Sequence, residues 1–285
     1  MTTNSIEAVN IGKKYLDFTL ENVSFTLPQG CIMGFIGQNG AGKTTVIKRL
    51  LGLTSGQGKA VLLGKENGGQ DLETKQQIGV LLDGSFFSEL LRPRDIDAVL
   101  KRIYKRWDSS LYRQYLEQFE IPQKKLINQL SKGMKTKIRL AAAMSCRPRL
   151  LILDEPASGL DPVARSQLMD IFQQFIQDEQ NSIFLSTHIT ADLEKIADYI
   201  TFLHKGRLIF SEEKDLLLEQ YGLAKGEPAW LEALGDLVIS HKEGRYSAQA
   251  LVRDREQAAR LCPGLVIDRP SLDDIMVFFA KGEQE

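Results

Sequence analysis

Histidine, cysteine and tryptophan are scarce in this chain of 285 residues, with three, three and two copies. The cysteines, Cys31, Cys146 and Cys262, lack metal-ligand spacing, which argues against a zinc module. Cys31 and Cys146 lie among apolar neighbours, as reduced cytoplasmic thiols do. No apolar run approaches the ~18 residues that a membrane-crossing helix requires. The opening Met1-Thr2-Thr3-Asn4-Ser5 carries neither a basic region nor an apolar signal segment, so the expectation is a chain kept in the cytoplasm. Neither sign of charge prevails, since 36 Lys and Arg face 37 Asp and Glu. With a pI near 6.4, nonspecific nucleic-acid binding is not expected. What remains is 43% hydrophobic and 26% charged, enough for a real core in one large domain and one small one.

Against that background one stretch stands out. Gly37-Gln38-Asn39-Gly40-Ala41-Gly42-Lys43-Thr44-Thr45 fits G-x-x-x-x-G-K-[ST], the phosphate-binding loop. An apolar run, Cys31–Ile36, precedes it as a buried strand. Val46, Ile47, Leu50 and Leu51 follow at helical spacing, with Gly52 as the stop. Strand, glycine loop and helix together aim backbone N–H groups and a helix dipole at phosphate. Lys43 is expected to neutralise β- and γ-phosphates, and the Thr44 hydroxyl to ligate Mg²⁺. A nucleoside triphosphate is the implied ligand.

Arg149 to Pro156 reads as a fully apolar strand ending in Asp154 and Glu155, and functional groups of parallel sheets gather at such carboxyl ends. Asp154 is expected to hold Mg²⁺ through water, and Glu155 to polarise an attacking water. Two adjacent carboxylates at a buried edge repel each other unless a cation is near. Between the two sites, Leu130-Ser131-Lys132-Gly133-Met134 opens a helix running to about Ser145, with Ser131 as N-cap. Alone, Ser-x-Gly marks only a helix start. Its place about twenty residues before the acidic strand end gives it weight.

In this order the motifs resemble the nucleotide-binding subunit of an ATP-binding cassette (ABC) transporter, over roughly residues 5–211. Gly37–Thr45 resembles Walker A and Leu150–Glu155 Walker B. Leu130–Met134 resembles the signature usually written Leu-Ser-Gly-Gly-Gln. Ser158–Asp161 resembles the D-loop, and Ser186-Thr187-His188 the switch histidine after the strand Ile183–Leu185. The resemblance implies a RecA-like α/β P-loop core. It makes Tyr15 the aromatic that stacks on adenine, a contact worth roughly 1–3 kcal/mol in nucleic-acid binding proteins; as a lone tyrosine it would be ordinary packing. It makes His188 the donor to the γ-phosphate, Glu155 the general base, and Asp161 a contact to the opposite subunit. His204 and His241 read instead as satisfied surface groups. Ser131 and Gly133 would complete the site of a second cassette packed head to tail. One P-loop and no internal repeat imply a partner cassette, in a homodimer or heterodimer, with a separate transmembrane subunit and a peripheral place at the inner face of the membrane.

Three positions depart from the family pattern. Ile78–Leu82 ends at Asp83, where most cassettes have glutamine. Asp83 keeps an oxygen for Mg²⁺, or simply begins the Asp83-Gly84-Ser85 turn. Lys132 replaces glycine and either attracts phosphate or is solvated, and Met134 replaces glutamine. Such substitutions resemble those of single-cassette exporters. An ATP-dependent clamp or sensor with little turnover is the alternative, although such soluble cassettes usually come in pairs or with a coiled-coil insertion. Glu155 and His188 together argue against a silent site.

The chain is expected to divide at residue 222. Residues 5–30 with Ala60–Leu63 form an antiparallel β-subdomain, residues 31–85 and 149–211 a mainly parallel core, and residues 86–148 a helical insertion. In the family that insertion receives a coupling helix of the membrane subunit, with Phe86 and Phe87 as candidate contacts or as core residues. Lys101–Trp107, basic and aromatic, reads first as a solvated helix face and second as a membrane-facing patch. The hairpin Ile200–Leu203 with Arg207–Phe210 and the helix Glu213–Tyr221 close the cassette. Gly222–Pro228 reads as a linker to a small α+β accessory domain, 223–285. There Leu237–Ser240 and Tyr246–Val252 form a hairpin, Arg253–Leu261 and Ser271–Phe279 helices, and Leu265–Ile267 a strand.

Overall fold

The computed structural model describes residues 3–66, 71–82, 84, 87–244 and 247–282. Two long strands, β1 (Asn4–Lys14) and β2 (Thr19–Pro28), pair antiparallel with Ala8 opposite Phe25. β3 (Ile32–Ile36) follows, buried at every position, and the glycine loop leads from it into α1 (Lys43–Leu50). Gly52, at a φ of 67°, donates to the Arg49 carbonyl and ends that helix. β4 (Gln57–Leu62) returns antiparallel to β1 and is edged by β5 (Lys65–Glu66). The antiparallel β-subdomain is therefore present. Beyond it, α2 (Leu72–Lys75) leads into β6 (Ile78–Leu81).

The insertion is helical: α3 (Pro93–Ile103), α4 (Ser109–Gln118), a 3₁₀ turn at Ile127–Gln129, and α5 (Lys132–Ser145). Ser131 caps α5, its hydroxyl accepting from the Met134 N–H at 3.2 Å. The basic cluster splits in two. Lys101, Arg102, Lys105 and Arg106 are exposed, whereas Trp107 turns inward, donating to Asp97 at 2.7 Å beside the ring of Tyr112.

The core continues with β7 (Leu150–Asp154), α6 (Pro162–Phe175), β8 (Ser182–Thr187), α7 (Thr190–Ile196), β9 (Tyr199–His204) and β10 (Arg207–Glu213). Among the described residues the sheet runs β5-β4-β1-β2-β10-β9-β3-β8-β7-β6, and β9, β3, β8, β7 and β6 are mutually parallel. β3, β7 and β8 are buried at every residue, which is why Ile32–Ile36, Leu150–Leu153 and Ile183–Leu185 are unbroken runs without polar side chains rather than alternating ones. The same burial corrects the expectation for His204. It is only 3% exposed, because β9 is an interior strand with its ring packed toward Phe202. His241 is half-buried, 3.6 Å from Glu243.

After α8 (Lys214–Gln220) the expected linker is a strand, β11 (Gly222–Gly226), central to a second sheet. A Cβ at Gly222 would lie 2.6 Å from Ile267 Cγ2, so glycine here allows a close neighbour rather than flexibility. α9 (Trp230–Leu234), β12 (Val238–Glu243), β13 (Ala248–Val252), α10 (Arg255–Leu261), β14 (Val266–Asp268) and α11 (Leu272–Gly282) complete the segment. The hairpin, helices and short strand are where periodicity put them, except that Tyr246 lies outside the described residues. Ser271 and Asp274 form a capping box at the start of α11. α11 does not stand apart from the cassette: Phe279 lies 5.6 Å from the ring of Phe210 and 5.7 Å from that of Tyr221, and Glu194 of α7 accepts from the Leu272 N–H at 2.8 Å.

Candidate nucleotide-binding site

The carboxyl ends of β3, β7 and β8 lie side by side, so the loops that follow them open into one cleft. The cleft has a volume of about 430 Å³. Gln38, Asn39, Gly40, Gly42, Lys43, Thr44 and Thr45 line it from the glycine loop, facing Asp154, Glu155, Ser158 and His188. Gly42 precedes α1 at a φ of 108°, where a Cβ would meet the ring of Phe18 at 2.7 Å, so only glycine fits. No side chain caps α1, and its first N–H groups remain available to an anion.

The side chains form a connected polar set. Thr44 Oγ1 donates to Asp154 Oδ2 at 2.7 Å, and the Ser186 hydroxyl donates to the other oxygen of Asp154. Asp154 is thereby fixed although it is buried. Lys43 folds back, donating to the Gly37 carbonyl at 2.6 Å, and its Nζ lies 3.5 Å from Glu155 Oε1. Glu155 adopts a φ of 50°, left-handed backbone that costs a non-glycine residue roughly 1–2 kcal/mol. Its N–H donates to the Ser186 carbonyl at 3.0 Å, which holds that conformation. Glu155 Oε2 lies 2.8 Å from His188 Nδ1. Glu155 Oε1 is buried without a hydrogen-bond partner. Left-handed backbone on a residue whose carboxylate sits between Lys43 and His188 is a cost that folding alone does not require, and it marks a site built to receive something.

Several residues singled out in the sequence lie outside this wall. Tyr15 is 42% exposed, its ring 6.4 Å from that of Phe18, and it is Phe18 that lines the cleft. Ala41 is buried within the loop, its N–H donating to Gln38. Ser131 caps α5, and Gly133 backs onto the Gly159 carbonyl, which a Cβ would approach to 2.9 Å. Asp161 caps α6, accepting from the N–H groups of Val163 and Ala164, and these bonds, that from Ala164 foremost, hold its carboxyl below the usual range. Asp83 and Phe86 lie outside the described residues. Sequence reasoning passed over Ser186, Thr136 and Arg139. Ser186 had a signal, since it opens the Ser-Thr-His stretch; Thr136 and Arg139, inside a helix, had none.

The donor set fits a magnesium nucleotide. A lysine and uncapped helix N–H groups face phosphate chemistry, and a hydroxyl beside a carboxylate suits a hard divalent cation.

Comparison with known proteins agrees. Residues 20–158 match the family model described as ABC transporter. An uncharacterized ABC transporter ATP-binding protein of Synechocystis is 32% identical over 280 residues, covering 91% of this chain and 77% of that protein. The lantibiotic transport ATP-binding protein SrtF of Streptococcus pyogenes is 33% identical over 210 residues, covering 72% of this chain and 90% of that one. A solved structure described as the ATP binding subunit of an ABC transporter superposes with a TM-score of 0.66 at 28% identity, covering 75% of this chain and 92% of that chain. With the loop, the acidic strand end and the histidine gathered on one cleft, this chain belongs to the ABC transporter family as an ATP-binding subunit.

Proposed function

We propose that this subunit hydrolyses ATP as one half of a cassette dimer and drives a separate transmembrane subunit, in an exporter. The observation that carries the chemistry is Glu155, held between Lys43 and His188 with one carboxylate oxygen buried, paired in charge with Lys43 but without a hydrogen bond. That oxygen suits the proton of an attacking water, and general-base catalysis of this kind is worth about 10²–10⁴-fold. Lys43 exchanges its loop carbonyls for the β- and γ-phosphates, and His188, oriented through Nδ1, donates to the γ-phosphate. Mg²⁺, when bound, would supply positive charge to offset that on the phosphates. Thr44 and Asp154 are the residues to hold it, with Asp83 as a further candidate. Tyr15, exposed next to Phe18, offers its face to adenine.

Support for the dimer is that Ser131, Gly133 and Asp161 do not line their own cleft, as suits residues that complete the cleft of a partner. Support for a membrane subunit is a second cavity, a groove of about 450 Å³ between core and insertion. Its walls include Val80, Phe87, Leu100, Ile103, Tyr104 and Ala142, an apolar seat for a helix. Among the described residues no helix is long and apolar enough to cross a membrane, so the proposed site of action at the inner membrane face depends on that docking. The exporter direction rests on Lys132 and Met134, and relatives named for lantibiotic transport fit it. Residues 223–285, with a sheet of their own, act as an accessory unit on the dimer.

Phosphate release by the purified chain across a range of protein concentrations tests the composite site. Turnover rising more steeply than linearly supports it, and strictly linear turnover contradicts it. ATP-driven efflux from cells against uptake, measured with the membrane subunit present, tests direction.

A further inference from the structure

A further cavity, of about 490 Å³, opens at the other end of the core sheet. Gln77 stands just before β6, Arg149 just before β7 and Asn181 just before β8, so their cavity lies at the amino ends of the strands. The nucleotide cleft lies at the carboxyl ends of β7 and β8. At 3.3 Å per residue, the length of β7 keeps the two roughly 15 Å apart. Three arginines line the cavity, Arg106, Arg147 and Arg149, against one acid, Asp178. Backbone bonds fix its walls. The Arg149 N–H donates to the Gln77 carbonyl at 2.8 Å, and the Arg149 carbonyl accepts from the Ser182 N–H at 2.9 Å. The Asn181 amide donates to the Phe175 carbonyl at 3.0 Å, and Asp178 Oδ1 accepts from the Gln180 N–H at 3.0 Å.

The arginines are not equally committed. Arg147 is taken, since its Nε and Nη2 both donate to Asp108 Oδ2, at 3.0 and 2.6 Å. Arg149 is half-buried, and its Nε is buried without a hydrogen-bond partner, a position that a charged donor occupies at a cost. Arg106 is exposed and makes no ion pair among the described residues. Two uncommitted guanidinium groups therefore face the single carboxylate of Asp178, an excess of positive charge. The basic cluster of the sequence adjoins them: the Lys105 N–H donates to Gln76 Oε1 at 2.8 Å, next to Gln77. Guanidinium forks match oxyanions, and a tetrahedral phosphate offers acceptors in several directions, so arginines from separate segments can share it. A planar carboxylate presents one such edge. We propose that this cavity binds a phosphate group, with Arg149 as its anchor and Arg106 closing on it from the outside. The site is independent of the nucleotide cleft, and its ligand is either a free phosphate compound or the headgroup of an anionic lipid.

Calorimetric titration of the full chain tests this, with a non-hydrolysable MgATP analogue saturating so that the glycine loop does not compete. One arm uses inorganic phosphate at constant ionic strength, and the other sedimentation with vesicles of phosphatidylglycerol or of phosphatidylcholine. Binding of phosphate, with a Kd on the order of 1 mM or below, identifies a free compound as the source. Retention on phosphatidylglycerol vesicles alone identifies the headgroup. In whichever arm binds, Arg149→Gln should weaken binding about tenfold or more, the scale of a lost charged hydrogen bond. Arg106→Gln, on an exposed residue that folding does not need, should weaken it about twofold to fivefold and keeps the test open should Arg149→Gln fail to fold. Lys124→Gln, which removes the same charge from an exposed position outside the cavity, should leave binding unchanged. The proposal is overturned if neither probe binds, if both arginine variants bind as the wild type does, or if Lys124→Gln weakens binding as much as they do.

Discussion

Two cavities of nearly equal volume, about 430 and 450 Å³, lie on either side of one wall and are built in opposite ways. The nucleotide cleft is made of loops after parallel strands, with lysine, threonine, aspartate, glutamate and histidine tied into one polar set. The groove is made of helix faces and strand sides, and its lining is mainly aliphatic and aromatic. A polar cleft needs particular atoms at particular places, so its residues are irreplaceable one by one. An apolar groove needs only shape and surface, so its function is spread over many side chains.

The contrast can be broken or sharpened by substitution. On the proposed mechanism, Glu155→Gln should lower phosphate release about 10²–10⁴-fold while ATP remains bound and the proposed dimer persists, because the proposed general base is lost and the phosphate ligands are not. Retained turnover would move the base elsewhere. Phe279→Ala, remote from both cavities, should destabilise the folded chain by about 3 kcal/mol, the low end for a phenylalanine that is only partly buried. Its chemical denaturation midpoint would then fall while turnover per folded molecule holds. Ile103→Asp, on an exposed groove position, should leave turnover of the isolated chain within about twofold, since exposed substitutions rarely exceed ±0.5 kcal/mol. The same variant should no longer be retained with the proposed membrane subunit in detergent. Cys146 offers the mildest test. Burial pushes its thiol up to about 12, so at pH 8 it is almost wholly protonated and should resist iodoacetamide. Labelling should accelerate as pH rises toward that value, and rapid labelling of the folded chain at pH 8 would show that the groove floor opens.

How much was legible follows the same division. Gly37–Thr45, Asp154, Glu155 and His188 stand out in one dimension because each needs a particular residue type next to a particular break in periodicity. Their strands were legible too, since burial on both faces leaves continuous apolar runs. The β11 strand was misread as a linker because glycine at 222 looks like flexibility when the neighbour that demands it, Ile267, is forty-five residues away in sequence. His204 was misread because a polar residue at a strand end gives no sign that the strand is interior.

By itself the sequence determined the fold class, the order of the motifs and the polar residues of the cleft, because these depend on local periodicity and on chemistry carried by adjacent residues. Only the tertiary structure decided that Phe18 rather than Tyr15 lines the cleft, that α11 packs into the cassette, and that Arg139 ties α5 to the segment after β6. The physical reason is that such contacts join residues far apart along the chain. Nothing local records them, and they exist only once the helices have settled against the sheet.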